Sequence, residues 1–173
     1  MHGSRHYLGV VYVTKAVLLI LRKQGSRHIF QVSSIGGRTG SPGLSAYQSA
    51  KWAVGGFSGV LAPEVAPLGI KVTVLEPGGM NTDWAGSSMK IPPISEPYQQ
   101  TIGPFVELRK AKISEGWSPA EKVADVVLKL SEAKDPPVRI LVGEDAVMYG
   151  GLVAESLAES DKKWRDVSLF KTD

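Results

Sequence analysis

A short apolar segment, followed by a glycine-rich loop and a helix, constrains the fold of this chain more than any other feature. Residues 28–32 form a short, mainly apolar segment that contains β-branched side chains, and this pattern predicts a buried strand. Ser33 and Ser34 follow at its carboxyl end. The loop that comes next permits tight turns through its glycines and proline, which are Gly36, Gly37, Gly40, Pro42 and Gly43. A helix is predicted to begin at Ser45, with that serine as its N-cap.

Tyr47 and Lys51 lie four residues apart on this helix, so their side chains share one face. A phenol ionises at about pH 10 in water, and a neighbouring ammonium group lowers that pKa by favouring the phenolate. Tyr47 could then exchange a proton with an alcohol or carbonyl oxygen, while Ser33 or Ser34 hydrogen-bonds the same oxygen. Such a pair also occurs by chance on many helices, so its meaning depends on the strand, serines and loop before it.

The segment resembles the active-site segment of the short-chain dehydrogenase/reductase (SDR) family. The family signature, Tyr-x-x-x-Lys, matches Tyr47 and Lys51, and the family serine thirteen positions before the tyrosine matches Ser34. The resemblance implies that these three residues are catalytic and that Ser33 is a structural neighbour. It continues through residues 70–82 and covers most of the chain, although only about half of the usual length of a family member.

A second strand is predicted over residues 70–75. The helix that precedes it should run from Ser45 to about Ala66, with a kink or weak last turn at Pro63 and a stop at Gly69. A strand, a helix and a strand in this order predict a parallel pair joined by a right-handed crossover.

Residues 76–82 follow the second strand at the edge of the sheet where ligands of doubly wound folds bind. A Pro-Gly pair by itself indicates only a turn. By resemblance, Pro77, Gly78 and Thr82 match the Pro-Gly-x-x-x-Thr loop that lies along the nicotinamide of NAD or NADP, with Thr82 holding the carboxamide or a phosphate. The resemblance also implies that Tyr47 and Lys51 contact this cofactor.

Residues 9–24 predict an amphipathic to largely buried helix that ends at Gly25. In the family this helix often packs against a second subunit, which implies a homo-oligomer. Family members usually carry an asparagine near its start, and the matching position here holds His6. Either His6 hydrogen-bonds in place of the asparagine, or the first residues do not follow the family.

The pattern loosens over residues 83–116, a length and composition typical of a lid or binding loop. The segment contains four prolines, which are Pro92, Pro93, Pro97 and Pro104. By resemblance it is the substrate-loop region, where Trp84 and Met89 either line an apolar pocket or take part in ordinary packing.

Residues 118–121 match a capping box and predict a helix that continues to about Ala133. Residues 138–143 predict a last strand. The tail from Ala146 is predicted to form a helix and a docked end. Two large aromatic residues belong to this end, Trp164 and Phe170.

A complete dinucleotide site needs a first strand, a glycine-rich turn and a helix N-terminus for the pyrophosphate, and none of these precedes Gly9. Residues 39–43 resemble such a turn, but they lead into the helix that carries Tyr47 and not into the first helix of a dinucleotide site. They are therefore predicted to form a loop. The predicted fold is therefore α/β, with a doubly wound, Rossmann-like parallel sheet that lacks the N-terminal βαβ units. Residues 1–173 form one partial domain.

Composition excludes several other classes of protein. The net charge of +3, without a basic run, gives no support for nucleic-acid binding. The chain has no cysteine and no paired metal-ligand spacing, so neither a disulfide nor a metal site is expected. Residues 10–21 are too short to span a membrane and contain Lys15. The absence of cysteine agrees with a cytoplasmic protein, and the resemblance to the family implies a small alcohol or carbonyl substrate.

The resemblance implies an oxidoreductase that transfers hydride between a secondary alcohol and a ketone with NAD or NADP. A serine hydrolase is an alternative, but residues 43–47 lack the second glycine of a nucleophile elbow, and no histidine is placed for a triad. A second alternative is a half-length, inactive chain that acts at most as a pairing module. Its strand at residues 28–33 would then be an edge that favours association.

Overall fold

The computed structural model describes residues 2–82, 91–115 and 117–171. The helices are α1 (His2–Gln24), α2 (Ser45–Val65), α3 (Gln99–Glu115), α4 (Glu121–Glu132), α5 (Glu144–Lys163) and α6 (Arg165–Ser168). The strands are β1 (Arg27–Val32), β2 (Ile70–Pro77) and β3 (Arg139–Val142). Three short 3₁₀ turns cover Ile35–Gly37, Ala66–Leu68 and Glu96–Tyr98.

The three strands form one parallel sheet in the order β1-β2-β3. Arg27 of β1 lies opposite Ile70, and Val74 of β2 lies opposite Arg139. The central strand β2 is the most deeply buried because it has a neighbour on each side and helices on both faces. The predicted parallel pair is confirmed.

Two hydrophobic clusters cover the two faces of the sheet. On one face α1 and α2 pack on β2, and the buried members are Leu61, Ala62, Val65, Ile70 and Val72. On the other face α4 packs on the sheet, and the buried members are Leu75, Leu130 and Val142. Each buried Leu, Ile or Val side chain contributes about 1.5–3 kcal/mol to folding. Helices on both faces of a parallel sheet confirm the predicted doubly wound α/β fold.

Strand β1 is at one edge of the sheet. It pairs with β2 on one side, and no strand of the described residues pairs with its other side. Val32 at its end is 54% exposed. This is the edge that the sequence predicts beside residues 28–33.

Two turns, at the amino ends of β1 and β2, depend on glycine. Gly69 has a φ of +72°, and a Cβ there would overlap the carbonyl of Gly25, which itself has a φ of +76°. The Gly69 carbonyl also accepts a hydrogen bond from the Arg27 amide at 3.3 Å. Helix α2 continues past Pro63 to Val65 and ends in the 3₁₀ turn, so Gly69 is the predicted stop.

Several predicted details are wrong at helix ends. Helix α1 begins at His2, seven residues before the predicted start, so the first residues belong to a regular helix. Leu44, not Ser45, caps α2, and no side chain bonds the free amides there. Ala120 caps α4 in the same way, because the Ser118 backbone instead forms a short parallel bridge with Met80.

The region predicted as a lid or binding loop contains helix α3, which has Pro104 inside it. Trp84 and Met89 lie outside the described residues. The prediction that the end of the chain docks onto the fold is wrong, because Trp164 is 56% and Phe170 is 92% exposed. Among the described helices, none has both the length and the apolar character needed to cross a membrane.

The protonation state of His28 couples stability to pH. The Thr73 hydroxyl donates to the Pro137 carbonyl at 2.7 Å, so it accepts from His28 Nε2 at 2.9 Å. The other ring nitrogen, Nδ1, is buried. Burial, and then the positive charge of Lys71, lower the pKa of His28, and the Leu130 backbone opposes this shift. The folded protein therefore favours the neutral ring.

We expect the free energy of unfolding to fall as the pH decreases below about 6.5, because the unfolded chain then binds a proton that the folded chain disfavours. The His28→Gln variant should remove this component of the pH dependence. Urea unfolding of both proteins at several pH values between neutral and mildly acidic tests the difference. Parallel curves for the two proteins would contradict the assignment to His28.

Candidate active site

The carboxyl ends of the three strands face one cavity of about 880 Å³. All six residues that the sequence predicts for the catalytic and cofactor sites line it. They are Ser34, Tyr47, Lys51, Pro77, Gly78 and Thr82. Residues that are far apart along the chain thus meet at one edge of the sheet, as expected for parallel strands.

Tyr47 and Lys51 lie on the first two turns of α2. The Lys51 ammonium is 5.7 Å from the centre of the Tyr47 ring and donates a hydrogen bond to the Val32 carbonyl at 3.1 Å. Burial lowers the pKa of Lys51, because a desolvated ammonium is less stable than a hydrated one. The Val32 carbonyl therefore fixes the end of a cationic side chain beside the phenol.

The two serines have different environments. Ser33 is buried, and its hydroxyl donates to the Lys51 carbonyl at 2.9 Å, which ties the strand end to α2. This is the structural role expected for Ser33. Ser34 lies on the cavity, where its hydroxyl accepts from the Gly36 amide at 3.1 Å and donates to the Pro77 carbonyl at 3.5 Å. Both serines line the cavity, and the Ser33 hydroxyl is the one tied to α2.

The loop between Ser34 and α2 is held by Gln48. The side chain of Gln48 accepts from the Ser41 amide at 2.8 Å and donates to the Ser41 hydroxyl at 3.2 Å. It is also 3.5 Å from the Thr39 hydroxyl. Because a side chain of the protein satisfies these groups, the glycine-rich residues 39–43 form an ordinary loop, as the sequence predicts.

The loop after β2 is fixed at two consecutive glycines. The Gly78 amide donates to the Val142 carbonyl at 3.0 Å, and the Gly79 amide donates to Asp145 Oδ2 at 2.7 Å. A Cβ at Gly78 would overlap the Asp145 carboxylate, and one at Gly79 would overlap the Trp117 ring. Asp145 and Trp117 thus fill the space beside the two glycines, while Thr82 lies exposed on the cavity lining.

Sequence reasoning missed Asp145, which holds this loop from the first turn of α5. A carboxylate at a helix N-terminus is stabilised by the helix dipole. The signal was present, because Glu144 and Asp145 come two and three residues after the end of β3, and the carboxyl end of a third parallel strand reaches the same edge.

His6 lies on the cavity in the first part of α1. Its ring meets the Tyr47 ring edge-on, with the centres 6.4 Å apart. The structure therefore places His6 near the catalytic candidate, and a hydrogen-bonding role for it remains a prediction.

Helices α3 and α5 form further walls of the cavity that sequence reasoning also missed. Phe105, Leu108 and Arg109 line it from α3, and Tyr149 and Leu152 line it from α5. Burial lowers the pKa of Arg109, and the negative charge that Tyr47 can carry opposes this shift. The spacing of Phe105 and Arg109, four residues apart, is the sequence signal for a shared helix face.

The described residues contain no group of three or more histidine, cysteine or acidic side chains that could hold a metal ion. The cavity lining includes the phenol of Tyr47, the amine of Lys51 and the hydroxyl of Ser34. These groups suit proton exchange with an oxygen atom.

A doubly wound α/β sheet with polar groups at the carboxyl ends of its strands defines a class of fold that binds ligands at this edge. The family model described as short chain dehydrogenase matches residues 4–91, just over half of the chain. The chain belongs to the short-chain dehydrogenase family.

Known proteins of this family are similar over most of the chain. Oxidoreductase BOA17 of Botryotinia fuckeliana is 67% identical over 163 residues, which are 94% of this chain and 59% of BOA17. The uncharacterized oxidoreductase YusZ of Bacillus subtilis is 39% identical over 127 residues, 71% of this chain and 45% of YusZ. The chain thus spans about half of the length of these curated relatives.

A short-chain dehydrogenase from Streptomyces avermitilis has a similar crystal structure, with a TM-score of 0.87 and 30% identity. The match covers 98% of this chain and 62% of that protein. The likeness over nearly the whole chain supports the arrangement of helices on both faces of the sheet.

Proposed function

We propose that this chain carries the catalytic half of an NAD- or NADP-dependent oxidoreductase that interconverts a secondary alcohol and a ketone. The observation that carries the proposal is that Ser34, Tyr47 and Lys51 line one cavity with the loop that begins at Pro77 and Gly78. Membership of the short-chain dehydrogenase family supports the reaction class.

Tyr47 exchanges the proton with the substrate oxygen in this proposal. The Ser34 hydroxyl binds the same oxygen and holds it in line with the phenol. Lys51 has two roles, since its ammonium favours the phenolate and also binds the ribose of the nicotinamide nucleotide. The Val32 carbonyl, 3.1 Å from the Lys51 ammonium, keeps that group in place for both.

The described residues fit the nicotinamide end of the cofactor. Gly78 and Gly79 line the cavity, and the Asp145 contact keeps their backbone in one position. Pro77 and Thr82 complete this wall of the cavity. When bound, the nicotinamide supplies or accepts the hydride.

Binding of reduced nicotinamide mononucleotide to the chain tests the proposal, because this probe contains the half of the cofactor that the described cavity fits. We expect saturable binding by NMR titration, weak and on the order of millimolar for so small a ligand. The Gly78→Ala variant should abolish it, since the added methyl group would overlap Asp145.

Gly56→Ala is the matched control, because a Cβ at Gly56 meets open space. Its affinity for the probe should equal that of the unchanged chain. Absence of binding to the mononucleotide, NADH and NADPH would contradict the proposal and favour the half-length, inactive pairing module.

The pairing module remains the second candidate because of two exposed surfaces. The edge of β1 can accept another strand, and the described residues leave apolar side chains of α1 exposed. These side chains are Tyr12, Val13, Leu19 and Ile20. The same α1 surface supports a homo-oligomer of the active protein, as the resemblance to the family implies.

A further inference from the structure

The cavity has an apolar lining that the proposed proton exchange does not use. Its members on α3, on α5 and in the segment before α4 are Phe105, Leu108, Trp117, Leu152 and Val153. A volume of about 880 Å³ is in the range of sites that enclose a whole small-molecule ligand. Ser34 and Tyr47 interact with one oxygen atom of such a ligand in the proposed function, so the apolar lining remains for the rest of it.

Helix α5 contributes to this lining because it packs closely on β3. Ala146 is fully buried, and a Cβ at Gly150, one turn later, would lie 2.6 Å from the Leu141 side chain. Leu152 and Val153 follow on the neighbouring face of the helix and line the cavity. The contact at Gly150 therefore holds α5 against the sheet with both side chains on the cavity.

Helix α3 contributes through residues three positions apart. At Gly43, an added Cβ would lie 3.2 Å from the Ile102 side chain, so the helix packs beside the loop that leads into α2. Phe105 and Leu108 follow Ile102 at intervals of three residues and line the cavity. One side of α3 thus contacts the loop and continues as an apolar wall.

Two leucines on this lining are largely exposed to solvent. Leu108 is 56% and Leu152 is 55% exposed, although both line the cavity. A ligand with a hydrocarbon body would remove this apolar surface from water, which favours binding. A ligand that is polar along its whole length would lose hydration there without a hydrogen bond in return. The exposed leucines therefore favour an apolar ligand.

We propose that α3 and α5 bind the hydrocarbon part of the substrate, and that Leu108 and Leu152 select secondary alcohols and ketones with a long apolar chain over short or polar ones. The inference rests on the proposed function for the reaction itself. The occupant of this surface is the substrate, because the apolar side chains share one cavity with Ser34, Tyr47 and Lys51. The oxygen then binds at the carboxyl edge of the sheet, and the hydrocarbon chain extends along the two helices.

The affinities of 2-butanol, 2-hexanol and 2-octanol for the purified chain test this inference by NMR titration. Each added methylene group should tighten binding roughly 4-fold, which is the transfer free energy of one such group expressed as a ratio. Octane-1,7-diol is 2-octanol with a second hydroxyl at the far end of the chain. It should bind at least about 10-fold more weakly than 2-octanol, because that hydroxyl loses its hydration in the apolar part of the cavity.

The Leu152→Gln variant should weaken 2-octanol binding roughly 3- to 10-fold, since about half of the side chain is still available for contact. It should change 2-butanol binding little, because so short a chain covers little of the apolar wall. Leu108→Gln should act in the same direction. Both leucines are exposed without ligand, so the variants should fold, and thermal melting checks this.

Leu157→Gln is the matched control. Leu157 is on the same helix as Leu152 and is also 55% exposed, but it is not among the described residues that line the cavity. Its variant should bind all four probes as the unchanged chain does.

Equal losses in Leu152→Gln and Leu157→Gln, or an affinity that does not rise with chain length, would overturn the inference. So would equal binding of 2-octanol and the diol, or failure of 2-octanol to bind. A change from oligomer to monomer in Leu152→Gln, without loss of 2-octanol affinity, would assign this leucine to a contact between copies of the chain and overturn the substrate role.

The titrations need neither cofactor nor turnover, so they separate this inference from the proposed function. A chain that binds 2-octanol through Leu152 but none of the nicotinamide probes would contradict the proposed function alone. A chain that binds the reduced mononucleotide without any preference for chain length would contradict this inference alone.

Discussion

Turnover is expected to fall by about 10²- to 10⁴-fold when Tyr47 is replaced by phenylalanine, the range for loss of a positioned acid-base group. The variant removes one oxygen atom and keeps the ring that packs beside His6 and Lys51. Cofactor affinity should stay nearly the same, since the Lys51 ammonium and its bond to Val32 are retained. The oxidation of a secondary alcohol, followed by the absorbance of the reduced nicotinamide, measures the effect in a form of the protein that turns over.

Two further tyrosines sharpen this experiment. Tyr98 is 58% exposed and lies outside the cavity lining, so Tyr98→Phe should leave turnover unchanged. Tyr149 lies on the cavity with Tyr47, so Tyr149→Phe separates proton exchange from a general need for phenols there. An active Tyr47→Phe variant, or a larger loss in Tyr149→Phe than in Tyr47→Phe, would contradict the assignment.

The sequence predicts the central strand-helix-strand unit well, because the information there is local. The bounds of β1 and β2 agree with prediction to within two residues, and α2 begins at the predicted residue. Short β-branched segments, a glycine-rich loop and the stop at Gly69 act over a few residues each. The rule that parallel strands end at one edge then brings Ser34 and Gly78 together.

Helix α3 was missed because its prolines were interpreted as loop signals. Pro104 removes one backbone hydrogen bond of the helix. Ile102 nevertheless packs near the loop at Gly43, and Phe105 lines the cavity. Tertiary packing of this kind outweighs a single local penalty. The wall of the cavity that α3 forms therefore became apparent only from the structure.

Side-chain contacts between distant residues could not be predicted from local patterns. Asp145 bonds to the amide of Gly79, 66 residues earlier in the chain. The exposed Phe170 shows the opposite error, since an aromatic residue near the end of the chain indicated docking that does not occur. In both cases the outcome depends on which elements the fold brings together.

A buried carboxylate behind the site illustrates the same limitation and leads to the largest expected effect on stability. Glu76 is fully buried and accepts hydrogen bonds from Arg38 Nε at 2.6 Å and Arg139 Nε at 2.9 Å. Arg139 also donates to the Gly37 carbonyl at 3.3 Å. The cluster joins the turn after Ser34, the end of β2 and the start of β3.

Glu76→Gln should lower the free energy of unfolding by about 3–5 kcal/mol, the cost of breaking a buried ion pair by removing one partner. The amide has nearly the same shape, but it leaves two guanidinium groups facing each other without a counter-charge. Arg38 and Arg139 are only 32% and 34% exposed, so water replaces the lost carboxylate poorly. Urea unfolding of the chain measures the change.

Glu107→Gln is the matched control, because Glu107 pairs with Lys110 at the surface. The Glu107 side chain is 71% exposed and that of Lys110 is 60% exposed. Breaking this surface pair should cost at most about 1 kcal/mol. A loss in Glu76→Gln no larger than that of the control would show that the buried cluster is not a major source of stability. A large loss would explain how the turn after Ser34 and the loop at Pro77 keep a fixed separation, since Glu76 immediately precedes Pro77 and Arg38 follows the Ser34 turn.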